Sequence, residues 1–131
     1  MNTIINILKY IWQLPQNIVA LLYLWCLTSI NVVYREQDYK GIEVYRRSGC
    51  RSASLGKYIF LSPYAPERTL KHEYGHTRQS LMLGPLYLIV IGLPSALWGY
   101  IRKIVAPGMD YYQFYTEKWA DKLGEVTDRY L

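Results

Sequence analysis

Only two histidines and two cysteines occur in the 131 residues of this chain. Cys26 lies in an apolar stretch and Cys50 in a polar loop, so the pair implies no disulfide framework and fits a reducing compartment. With His72 and His76 the only histidines, a metal site here must take any third ligand from a carboxylate or a cysteine. Charge is missing from two long runs. Leu14 to Tyr34 carries none, and neither does Leu81 to Ile101, which reads LMLGPLYLIVIGLPSALWGYI. Each has the roughly 20 residues that a bilayer span requires. The N-terminal run has only Lys9 for basic character and no small-residue cleavage site, so it does not read as a cleavable signal peptide. Internal repeats and low-complexity linkers are absent too, and the length suits one domain, residues 1–131.

What is abundant is apolar and aromatic: 51% hydrophobic residues, with fourteen tyrosines and four tryptophans. So few polar segments cannot wrap both apolar runs, which favours association with a lipid bilayer over burial as core helices of a soluble protein. The net charge is +5, and every Lys and Arg except Lys9 follows Tyr34. The positive-inside tendency places these polar segments, and any catalytic side, in the cytoplasm. The cations are scattered among Tyr and Glu rather than lined along one face, which argues against nucleic acid and for a solvated face near anionic lipid.

The local signals predict an α+β fold, mainly α. Residues 1–34 read as an apolar membrane-associated helical segment. IEVYRR (Ile42 to Arg47) and KYIFLS (Lys57 to Ser62) read as a β-hairpin over residues 42–62, joined by the turn-rich SGCRSASLG. Pro66 and Glu67 suit the first turn of a helix over 66–83 that stops near Gly84-Pro85. A short helix over 115–124 follows Pro107-Gly108, with Thr116 as its cap and Gly124 at its end.

The first of these helices carries HEYGH, residues 72 to 76. Residues four apart share a helix face, so His72 and His76 point at one zinc ion. Glu73 projects beside the site and suits a general base. Gly75 lets another backbone approach closely. On the second helix TEKWADKLG offers Glu117 and Asp121 on one face, Glu117 as third ligand and Asp121 to hold a ring N–H of a zinc histidine.

HExxH followed by a helix carrying ExxAD resembles the gluzincin metallopeptidases, most of all the integral-membrane branch of CAAX-processing and heat-shock membrane proteases and the related minigluzincins. In that group a strand running from a glycine to a serine precedes the HExxH helix, as Gly56 to Ser62 does here, forms the edge of the cleft and pairs with substrate. The match covers roughly Gly56 to Gly124. It implies His72, His76 and Glu117 as ligands of a catalytic Zn2+, Glu73 as general base, and Asp121 as partner of a ligand. The substrate it implies is a peptide or membrane-proximal protein segment; the oligomeric state stays open. A late histidine donor is missing, and Tyr111, Tyr112 or Tyr115 could give a phenol to the developing oxyanion, Tyr112 being our choice. The alternatives are a zinc-binding membrane scaffold without turnover and a metal-free protein with chance motifs.

One topological demand follows. If Leu83 to Ile101 crossed a bilayer once, His72 and Glu117 would lie on opposite sides. Gly84-Pro85, Gly92, Pro94 and Gly99 divide the run, so we expect a re-entrant apolar hairpin over 84–101, made of GPLYLIVIG and LPSALWGYI.

Overall fold

The computed structural model describes residues 2–30, 33–47 and 52–127. Cys50, named above, lies outside them. The protein is α+β and mainly helical, with one small four-stranded sheet. The elements are α1 (Asn2–Trp12), α2 (Leu14–Ile30), β1 (Val33–Arg35), β2 (Glu43–Arg47), β3 (Ala53–Leu55), β4 (Tyr58–Leu61), α3 (Glu67–Leu83), α4 (Leu93–Val105) and α5 (Tyr115–Leu123).

The sheet runs β1-β2-β4-β3. Residues 42–62 are therefore not one hairpin. β2 pairs with β4 in parallel, and the supposed loop SGCRSASLG contains β3, which pairs antiparallel with β4. The tight turn is Gly56-Lys57, between the paired Leu55 and Tyr58, and Gly56 takes φ +60. A Cβ there would meet Asn17 Oδ1 at 2.0 Å, so only glycine fits. β4 is thus interior. Tyr58 and Phe60 pack with Ala20 and Leu27 of α2, while Ile59 and Leu61 pack with Leu70 and Tyr74 of α3. Burial of both faces explains why KYIFLS is continuously apolar rather than alternating.

The first turn of α2 buries polar side chains. Gln13, just before it, and its own Gln16 and Asn17 are buried, whereas Ile18, Leu21, Leu22 and Trp25 are exposed. The buried amides tie the helix to its neighbours. Ser80 Oγ donates to Gln13 Oε1 at 2.5 Å, Gln16 Nε2 donates to Ser80 Oγ (2.8 Å) and Gly84 O (2.9 Å), and Asn17 Oδ1 accepts from Lys57 N at 2.8 Å. Ile4, Ile7, Leu8 and Ile11 of α1 continue the exposed apolar surface.

The expected break at Gly92–Pro94 is not there either. After a 3₁₀ turn at Gly84–Leu86 the chain stays helical from Leu88 to Val105, long and apolar enough to cross a membrane and only 6% buried. A wide π-type turn, Leu88–Gly92, precedes α4 and places Pro94 where its missing N–H costs no helical bond. The chain breaks instead at Gly84, φ +55. His72 and Glu117 still meet, because residues 106–114 run back along α4. Trp98 Nε1 donates to Tyr111 O at 3.0 Å, Trp98 stacks on Phe114 with centroids 4.6 Å apart, and Tyr115 Oη donates to Val90 O at 2.9 Å.

Candidate metal centre

α3 begins at Glu67 behind Pro66 and closes on Gly84, whose N–H donates to Ser80 O. Its buried stripe holds His72, Glu73, His76, Gln79 and Ser80. α5 lies directly against it. A Cβ on Gly75 would come within 1.8 Å of Ala120 O, and one on Gly124 within 1.9 Å of Lys71 O. These two glycines let the helix backbones touch, which brings Glu117 and Asp121 over the histidines.

His72 Nε2 and His76 Nε2 each lie 3.3 Å from Glu117 Oε1. The ligand atoms of this buried trio all fall within 4.8 Å of one another. Metal–ligand bonds of 2.0–2.1 Å at tetrahedral angles give edges of roughly 3.3–3.4 Å; the two edges to Glu117 have that length, and the edge between the histidines is within 4.8 Å. The outer nitrogens are occupied. His72 Nδ1 donates to Asp121 Oδ1 at 2.6 Å, and His76 Nδ1 donates to Gln79 Oε1 at 2.7 Å. Gln79 is itself oriented, since its Nε2 donates to Thr116 O at 2.9 Å and leaves Oε1 for His76. Both neutral imidazoles then aim an Nε2 lone pair at a carboxylate oxygen. Three acceptors facing one point require a cation or added protons between them.

The charge balance agrees. Burial opposes charge on His72, but its hydrogen bonds to Asp121 and Glu117 outweigh it and raise its pKa to about 9. Burial likewise opposes charge on His76, and Glu117 raises it. Burial would push Glu117 up; hydrogen bonds from His72, His76 and Ser95 instead hold it well below the ordinary carboxylate range. A cage without a cation collects protons, and a divalent ion displaces them. His72, His76 and Glu117 could therefore hold a metal ion.

His76 and Glu117 open on a cavity of about 390 Å³ whose lining also includes Glu73, Ser52 to Leu55, and Tyr87 and Tyr111. The other walls are Val19 and Tyr23 of α2 and Gly92, Ser95, Ala96, Gly99 and Tyr100 around α4. The strand at the cleft is thus the edge strand β3, not Lys57 to Ser62. Tyr112 packs its ring edge-on against His72 at 5.1 Å, and Tyr115 commits its hydroxyl to Val90 O. Thr116 does not cap α5, which begins behind Phe114; its hydroxyl donates to Glu117 Oε2 at 2.7 Å. Sequence reasoning missed Gln79, Tyr87 and Ser95. The first stands three residues after His76, on the same helix face, and was findable by that spacing. Tyr87 and Ser95 sit in an apolar run whose facing the sequence does not specify.

The chain matches no family model, no curated protein and no solved structure.

Proposed function

We propose that this protein is a small membrane-associated zinc metallopeptidase of the gluzincin type. The observation that carries it is the convergence of two imidazole nitrogens on one carboxylate oxygen, 3.3 Å from each, beside a cavity lined by Glu73. Two nitrogens and one oxygen with an open fourth position are the donor set of a catalytic zinc site. Zinc held there would polarise a carbonyl and acidify water to near neutrality.

The chain's own groups do the remainder. Asp121 and Gln79 keep each ring proton on Nδ1, so that both Nε2 atoms face inward. Glu73, buried beside the first ligand, takes a proton from water and returns it to the leaving amine. β3, as the edge strand in the cleft, pairs with an extended peptide through its backbone. Tyr87 lines the cavity, and burial together with the charges of Glu73 and Glu117 raises its pKa, so its phenol stays protonated. That phenol takes over the oxyanion role expected of Tyr112.

Support for the membrane comes from the pattern of burial. Amides and the metal cage are buried, while Ile18, Leu22, Leu93, Leu97 and Ile104 are exposed. The exposed Asp110 and Gln113, on the segment returning beside α4, favour insertion into one leaflet over a full crossing. The substrate is then a peptide segment near the lipid surface.

The test is Glu73→Gln in detergent-purified protein. Zinc content should stay at one per chain while hydrolysis of an unfolded protein substrate falls by about 10²–10⁴. Unchanged hydrolysis would remove the peptidase reading.

A further inference from the structure

Glu117 uses its two oxygens differently. Oε1 faces both histidines at 3.3 Å. Oε2 faces away from that use and accepts two hydroxyls, Ser95 Oγ at 2.6 Å and Thr116 Oγ1 at 2.7 Å. Both contacts fall in the range of about 2.5–2.7 Å for charge-assisted O–H···O⁻ bonds, which are strong. Thr116 is the neighbour of Glu117 on α5, so its position comes with the helix. Ser95 arrives from α4, a helix otherwise apolar over its first two turns: LPSALWG. A serine among such residues commonly bonds back to its own helix or is spent on helix packing. Here its proton goes to the third member of the metal cage.

We propose that Ser95 is a positioning residue that, with Thr116, restricts Glu117 to a single metal-facing oxygen. The proposal rests on the metal-site reading. An unrestrained glutamate binds a metal through one oxygen or through both. With two hydroxyl protons on Oε2, its lone pairs are engaged, and only Oε1 is offered to the ion. A one-oxygen third ligand leaves the fourth position open, which separates a catalytic site from a closed one. The arrangement also makes α4 part of the cage. Ser95 and, one turn on, Trp98 both hydrogen-bond the segment leading into and carrying Glu117. A helix with a largely exposed apolar face thereby sets the geometry of the metal ligand.

Cobalt(II) reports coordination number through the strength of its visible d–d absorption, intense when four-coordinate and weaker when five-coordinate. The full chain in detergent, loaded with cobalt alone, should give the intense band. S95A should still bind one cobalt per chain, with a weaker band as Oε2 joins the ion and with affinity reduced by about tenfold or more. S95T, which restores the hydroxyl, should restore the band. If S95A loses its helical circular dichroism, S95C, similar in shape but a weak donor, must shift the band in the same direction. An unshifted spectrum and unchanged affinity in the folded variant would overturn the assignment of Ser95. A wild-type chain that binds no cobalt would instead remove the metal site itself, and this proposal with it.

Discussion

Replacing Gly75 by alanine adds one methyl group, and the structure says where it goes. The new Cβ would stand 1.8 Å from Ala120 O, 2.6 Å from its carbonyl carbon and 2.9 Å from its Cα. These are backbone atoms, which cannot swing aside as a side chain can. Ordinary contact begins near 3.4 Å, so α5 must retreat by about 1.6 Å, the difference between the two distances. Ala120 lies between Glu117 and Asp121, and both travel with it. Metal sites tolerate errors of about 0.2 Å in ligand distance. A retreat several times larger takes Glu117 Oε1 out of reach of an ion held by His72 and His76. We expect zinc affinity to fall by at least about 100-fold, more than the loss of an orienting partner causes. Forcing a methyl into a packed contact should also cost roughly 1–3 kcal/mol of folding free energy in the metal-free protein. The assay is competitive zinc titration against a chromophoric chelator, with denaturant unfolding beside it. Gly108→Ala is the control, since nothing lies within 4 Å of its Cβ. A G75A chain that holds zinc as tightly as wild type would refute the close helix contact as the device that assembles the cage.

Other outcomes follow from the same geometry. Tyr87→Phe should lower kcat by about 10²–10³ with zinc content unchanged, which steady-state kinetics and metal analysis read together; an unaltered kcat removes the phenol from the chemistry. For the metal-free chain, His72 has its pKa raised from 6.5 to about 9, so its charge stabilises the fold fully below pH 6.5. That stabilisation, a few kcal/mol at most, is lost as pH rises through about 9, and urea unfolding at pH 6 and pH 9.5 measures it. Zinc should reverse the trend, because it competes better as protons leave the imidazoles. Leu22→Glu with Leu97→Glu, both on the exposed apolar surface, should leave circular dichroism unchanged and shift the protein from the membrane to the soluble fraction. Persistent sedimentation with vesicles would argue against that face as the lipid contact.

The candidate metal site was legible because its signals are local. His72 and His76 share a helix face by spacing alone, Pro66 and Gly84 bound that helix, and Glu117 and Asp121 repeat the same four-residue step. That the two helices meet follows from the need for a third ligand and is implied by the resemblance; its physical means is the pair Gly75 and Gly124, of which the sequence marked only the first for close approach. The sheet was misread because strand order is not a local property. SGCRSASLG looked like a loop, yet Ala53–Leu55 completes β4 on its open side while β2 takes the other in parallel. The apolar run was misread for a different reason. Gly92 and Pro94 ordinarily end a helix, but a wide turn ahead of Pro94 absorbs its missing N–H and lets the helix continue. Gln79 is marked only by its three-residue spacing from His76, and Ser95 by nothing in the sequence. Their roles come from what Thr116 and Glu117 present to them once α3, α4 and α5 are packed.

The most direct measurement is zinc bound per chain in protein purified under reducing conditions, wild type against His76→Ala. The account predicts one tightly held zinc in the wild type and none in the variant, with both chains equally helical. A well-folded wild type that neither carries zinc nor takes it up from micromolar solution would contradict it.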